Sequence, residues 1–228
     1  MLPSPVDGTV HVAMSTGGVY RTEDGGGTWL PRNRGISAYF FPGPAPEYGQ
    51  CVHKIARDAG DPDRLYAQNH HGVYRSDDAG DTWASIADGL PSDFGFVMLA
   101  DPFRGGQLWV VPLVADGERV PPGGRLAVHR SDDAGATWTR SERGLPDGCW
   151  NAVLRDAACV DDAGRDDVGR DEGAAADDAT GVYLGTRAGE VYASRDGGRT
   201  FVTVALGLPD VLSLRAAVVR GAEVPVGD

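Results

Sequence analysis

An eight-residue pattern occurs four times in this chain and narrows its possible folds more than any other feature. Thr22-Glu23-Asp24-Gly25-Gly26-Gly27-Thr28-Trp29 returns as Ser76-Asp77-Asp78-Ala79-Gly80-Asp81-Thr82-Trp83 and as Ser131-Asp132-Asp133-Ala134-Gly135-Ala136-Thr137-Trp138. The fourth copy, Ser194-Arg195-Asp196-Gly197-Gly198-Arg199-Thr200-Phe201, changes only the closing aromatic. Each copy, called the box below, has the chemistry of a hairpin turn. An Asp carboxylate accepts hydrogen bonds from backbone N–H groups a few residues on, a Gly takes positive φ, and flanking hydroxyls cap the same loop.

The repeat extends beyond the turn. A β-rich run precedes each box (Gly18–Arg21, Gly72–Arg75, Leu126–Arg130, Glu190–Ala193), and a Gly stands six residues after each closing aromatic, at 35, 89, 144 and 207. The box aspartates are separated by 54 residues (24 to 78), 55 (78 to 133) and 63 (133 to 196). That spacing is close to one four-stranded propeller blade per period. The expected roles of Asp24, Asp78, Asp133 and Asp196 are therefore structural. Trp29, Trp83, Trp138 and Phe201 are expected to fill the space between neighbouring blades.

Composition agrees with an all-β class: 33 Gly and 15 Pro in 228 residues suit many short strands joined by tight turns. The net charge of -12 disfavours nucleic acid and anionic membranes as partners, because both select Lys/Arg patches. No apolar run reaches membrane-spanning length, and Met1 to Asp7 lacks the basic flank and apolar segment of a secretory signal, so a cytoplasmic location is expected. Cys51, Cys149 and Cys159 have neither the number nor the spacing of a disulfide framework or zinc knuckle, and buried free thiols are expected. No cofactor and no metal is expected.

Within the second period, Gly49–Ala56, Leu65–Gln68, Gly72–Ser76 and Thr82–Ile86 read as four strands. The third runs through Phe96–Leu99, Leu108–Val111, Leu126–Arg130 and Trp138-Thr139. The last begins at Trp150–Leu154 and continues through Val182–Gly185, Val191–Ser194 and Thr200–Val204. At the N-terminus Thr9–Met14, Gly18–Thr22 and Thr28-Trp29 resemble strands two to four, while Val211–Val219 resembles an unpaired first strand. Pairing the two ends would close a ring of about four blades; otherwise the chain is an arc of a larger one. Residues 1–228 are thus expected to form one propeller domain or part of one. Pro112–Gly124 and a mobile acidic insert, 161–178, interrupt the repeat.

The boxes and their frame resemble the bacterial neuraminidase repeat, the BNR or Asp-box family of exo-α-sialidase-like and glycosyl-hydrolase-like proteins. The resemblance extends through Gly17–Thr22, Pro31–Gly35, Glu47–Lys54, Gln68–Ser76 and Gly89–Phe96. It implies the C-terminal part of a longer protein, with a ring of possibly seven blades. Sialidases of this kind carry an Arg-Ile-Pro segment that supplies part of an arginine clamp for the sialate carboxylate, and no Arg-Ile-Pro occurs here.

Ligands of propellers approach the central channel, near the segments leading into first strands. Glu47, Tyr48, Gln50, His53 and Lys54 cluster at one such segment and Asp93 at the next. Glu47 and Asp93 are the candidate catalytic carboxylates, with His53 as an acid–base partner, while Tyr48, Gln50, Lys54, Asn69, His70 and Arg155 are candidate ligand contacts. Asn69-His70-His71 is a dense polar cluster, but adjacent residues of one turn rarely converge on a metal. Two functions follow. One is a scaffold binding a glycan, small molecule or protein at the channel; the alternative is a sialidase-like glycoside hydrolase.

Overall fold

The computed structural model describes residues 1–39, 43, 46–161 and 180–216. Four antiparallel meanders of four strands each make up the fold. The first contains β1 (Leu2–Pro3), β2 (Val10–Met14), β3 (Gly18–Thr22) and β4 (Leu30–Pro31). The second contains β5 (Val52–Arg57), β6 (Leu65–Asn69), β7 (Val73–Ser76) and β8 (Ala84–Ser85). The third contains β9 (Phe94–Ala100), β10 (Leu108–Leu113), β11 (Val128–Ser131) and β12 (Thr139–Ser141). The fourth contains β13 (Ala158–Val160), β14 (Val182–Gly185), β15 (Val191–Ser194) and β16 (Val202–Ala205). The first strands approach one another in order, β1 to β5 to β9 to β13.

The apolar core lies between sheets. Val19 and Ile36 meet Leu65, Tyr74 and Trp83 of the second sheet. Tyr66, Val73 and Ile86 meet Met98, Leu108 and Val110 of the third. Val97, Trp109 and Val128 meet Val182, Leu184 and Phe201 of the fourth. Covered on both faces, β6 and β10 are buried at every residue, so they read as continuous runs rather than alternating ones. Each fully buried large side chain contributes roughly 1.5–3 kcal/mol.

All four boxes close in the same way. The hydroxyls of Thr22, Ser76, Ser131 and Ser194 donate to Oδ1 of the box Asp at 2.7–2.8 Å and accept the amide of the Gly four residues on at 2.8–2.9 Å. The amide of the closing Thr donates to Oδ1 and its hydroxyl to Oδ2. Such a carboxylate is held as the anion: Asp24 is pulled down to about 2 by the Thr28 amide and hydroxyl and the Thr22 hydroxyl.

The second, third and fourth boxes also dock onto the sheet before them. The Ala79 carbonyl accepts from His11 Nε2 (2.8 Å) and Arg21 Nη1 (3.0 Å), the Ala134 carbonyl from Arg75 (3.1 Å), and the Gly197 carbonyl from the Trp109 indole (2.9 Å). The Trp83 and Trp138 indoles donate back to the carbonyls of Arg32 (2.9 Å) and Ile86 (2.8 Å), so both rings bridge sheets as expected. Phe201, without an indole N–H, is buried, whereas Trp29 is 38% exposed.

Four expectations need correction. The first strand of the fourth sheet is Ala158–Val160, not Trp150–Leu154: a turn closed by Ala157 N–H to the Leu154 carbonyl (3.0 Å) separates the two, and Trp150 is exposed. The first sheet has its own first strand, because Leu2 and Pro3 pair with His11 and Val10. Val211–Ala216 forms no strand, and 217–219 lie outside the described residues. Only Cys149 among the cysteines is buried, Cys51 and Cys159 being half-buried; all three are free. The acidic insert 161–178 lies outside the described residues except for Asp161, which accepts from the Gly181 amide and the Tyr183 hydroxyl, both at 2.8 Å.

Candidate functional site

In a meander, the third-to-fourth-strand turn lies at the same end as the first-to-second turn. The boxes therefore share one end of the fold with Asp58 and Asp101, two buried carboxylates. Asp58 accepts from the amides of Gly60, Asp61 and Gly106 and from the Tyr66 hydroxyl. Asp101 accepts from the amides of Phe103 and Arg104 and from the Thr180 hydroxyl. Burial and the Asp58 hydrogen bond push the Tyr66 phenol up. These saturated carboxylates serve the joints between sheets.

The opposite end carries the starts of the first strands and the turns from second to third. Here the Asn69 amide and Gly72 carbonyl close a turn at 3.0 Å, and the His70 amide donates to the Cys51 carbonyl at 2.9 Å. His70 is thereby brought beside β5. A bulge between Val52 and Lys54 leaves His53 without a partner in the β6 register. His53 is 7% exposed and donates from Nδ1 to the Gly95 carbonyl at 2.6 Å. Burial lowers its pKa to about 4; the Gly95 bond works the other way, and the nearby charges of Arg155, His70 and Arg119 lower it further. The imidazole is neutral at pH 7.

Around it the rings form a chain. Tyr39, 67% exposed, meets His71 at 5.2 Å between centroids, and His71 meets His70 at 4.9 Å. His70 meets His53 at 5.5 Å and Phe94 at 5.2 Å, and His53 meets Phe96 at 4.7 Å. The Arg119 guanidinium lies over Phe96, 5.5 Å from its centroid, while pairing with Asp116.

The remaining candidates divide. Glu47 and Asp93 are exposed, and their backbone carbonyls accept from the side-chain amides of Asn33 (Nδ2, 3.0 Å) and Gln68 (Nε2, 2.9 Å). Tyr48 is 63% exposed and Arg155 is exposed. Gln50 is buried, donating to the Pro46 and Ile36 carbonyls; Asn69 is buried, donating to those of Ser37 and His71. Lys54 reaches Asp156 at 2.9 Å. Sequence reasoning missed Cys51, Phe94 and Phe96 as neighbours of His53. The Cys-Val-His spacing, which puts residues 51 and 53 on one face of a strand, was the available signal.

No protein-family model matches the chain, and no curated protein matches it by sequence. Among solved structures it is similar to an ancestral GH74 enzyme, with a TM-score of 0.62 and 17% identity over 90% of this chain and 23% of that one. It is also similar to the GH74 enzyme of Niastella koreensis (0.58, 17%, 92% and 29%) and to the GH74 xyloglucanase from Xanthomonas campestris (0.55, 19%, 89% and 29%). The chain carries β-propeller blades. It spans between 23% and 29% of the length of these structures.

Proposed function

We propose that these blades are a binding scaffold whose ligand docks at the end away from the boxes. The observation that carries this reading is the chain of ring contacts running from exposed Tyr39 through His71 and His70 to His53, Phe94 and Phe96, flanked by Arg119. Aromatic faces beside a guanidinium suit a ligand with an apolar face and polar edges, such as a saccharide or an aromatic side chain of a partner. Exposed Trp29 at one end of the blade series and exposed Val202 and Val204 at the other support reading the chain as an arc of a larger ring. Binding of sialosides, xyloglucan oligosaccharides and a peptide library to the purified chain tests the proposal. A ligand whose affinity falls tenfold or more in Tyr39→Ala supports it; ligands that bind Tyr39→Ala and the parent equally sink it.

A second reading, a glycoside hydrolase of the sialidase-like kind, draws on exposed Glu47 and Asp93 at the approaches to two successive first strands. Product release from aryl glycosides or sialosides that disappears in folded Glu47→Gln or Asp93→Asn would favour it over the scaffold.

A further inference from the structure

Cys51, His53 and His70 each place one ligand atom within 4.8 Å of the others. Cys51 immediately precedes β5 and His53 sits at its bulge, and the third is held beside them by the His70 amide bond to the Cys51 carbonyl. We propose that these three side chains form a binding site for a divalent late-transition-metal ion of the zinc class, with a fourth position open to solvent or ligand. The inference stands independently of what docks on the aromatic surface.

The tautomer of His53 follows from its partner. A carbonyl can only accept, so Nδ1 carries the proton given to Gly95 and Nε2 carries the lone pair. That lone pair faces the Cys51 sulfur at 3.6 Å. With zinc–nitrogen bonds of ~2.0 Å and zinc–sulfur bonds of ~2.3 Å, the N···S edge of a tetrahedron is about 3.5 Å, so this pair already has the ligand spacing. His70 must close by roughly 1.3–1.5 Å from the widest separation to complete the face. A backbone carbonyl behind a ligating imidazole is the usual outer support of such a site, fixing ring orientation and basicity. Asp116 Oδ2, 3.6 Å from His70 Nε2, stands where it can orient the second imidazole or supply an oxygen.

Access and charge are also suitable. Cys51 and His70 are half-buried, so an ion can enter from one side, while Phe94 and Phe96 wall the other. On binding, the thiol proton is released to solvent and the metal–sulfur bond forms, and the thiolate offsets one of the two positive charges of the ion. Arg119 is already engaged by Asp116. A thiolate with two imidazoles selects zinc-class ions over magnesium and calcium, which take all-oxygen sites.

The test is titration of the purified, reduced chain with Co2+ and then Zn2+. The expected result is one equivalent of Co2+ bound with a thiolate-to-cobalt charge-transfer band and tetrahedral d–d bands, all displaced by Zn2+. Cys51→Ser should abolish the charge-transfer band while Cys149→Ser and Cys159→Ser keep it, and His70→Gln should weaken binding at least tenfold. His70→Gln alters a half-buried turn residue, and its circular dichroism and melting temperature report whether it folds as the parent does. Absence of stoichiometric binding, a charge-transfer band that survives Cys51→Ser, or unchanged affinity in folded His70→Gln overturns the proposal.

Discussion

The Nζ of Lys54 lies 2.9 Å from Oδ1 of Asp156, joining the innermost strand of the second sheet to the turn that precedes the innermost strand of the fourth. The contact links two sheets that are not consecutive in the chain. Its Lys54 hydrogen bond, helped by Arg215 and Arg155 and opposed by burial, holds Asp156 below its ordinary value. Both groups are partly exposed, so the pair contributes about 0.2–1 kcal/mol. Lys54→Met should lose that amount at pH 7, less at high salt. The contribution is full above the ordinary Asp value of 3.8 and fades as pH falls through the depressed folded value. Urea titrations of parent and variant should therefore converge in acid; an unchanged gap at pH 2 would show that packing, not charge, is responsible.

Ala79 holds φ at 54°, a left-handed conformation that glycine adopts freely. Its amide and carbonyl, which bond Asp63, His11 and Arg21, are untouched by a change of side chain. The strain relieved, about 1–2 kcal/mol, exceeds the added unfolded-state entropy of about 0.4–1 kcal/mol. Ala79→Gly should thus raise the denaturation midpoint by roughly 0.5–1 kcal/mol equivalent. A lower midpoint would contradict this.

The box acids should set the acid limb of stability. Asp78 accepts the Ser76 hydroxyl and both polar hydrogens of Thr82. Asp78→Ala should cost about 1.5–3 kcal/mol, since hydrogen bonds to a charged group are lost; the exposed Thr82 donors can turn to water, while Ser76 is buried. Asp24, titrating at about 2, contributes stability that is complete above pH 4 and is lost towards pH 2. Denaturant midpoints measured from pH 5 down to pH 2 should fall in the parent and more shallowly in Asp78→Ala.

His129, buried beside Arg140 on the third sheet, titrates at about 4 because burial, and then Arg140, disfavour the imidazolium; Glu142 opposes them. Between pH 6.5 and 4 the unfolded chain takes up a proton that the folded chain refuses. Stability from this site should therefore fall with falling pH by at most ~1.4 kcal/mol per unit. His129→Gln should flatten that part of the profile relative to the parent. Parallel profiles would remove His129 as the cause.

What could be read from the sequence was what is local. The boxes act within seven residues, so the Asp78 and Thr82 pattern carries its own geometry, and Val182–Gly185 and Val191–Ser194 begin and end where the repeat places them. Trp150–Leu154 misled because Ala152, Val153 and Leu154 pack against the core without joining a ladder; the chain turns once more before Ala158. The meeting of Cys51 with His70 depends on strand register and on a bulge, neither of which a single sequence displays. Asp58 and Asp101 look like ordinary turn acids until their partners on the next sheet, Gly106 and Thr180, are in place.

One carbonyl position in the box receives a histidine and an arginine at Ala79, an arginine at Ala134 and an indole at Gly197. Because the receiving group is main chain, it does not depend on the residue that bears it, and three unlike donors fit the same socket. The joint between neighbours is therefore a shape to be filled rather than a residue pair to be matched. A lineage can exchange the donors one at a time, or duplicate a whole unit next to an unrelated one, without losing the seam.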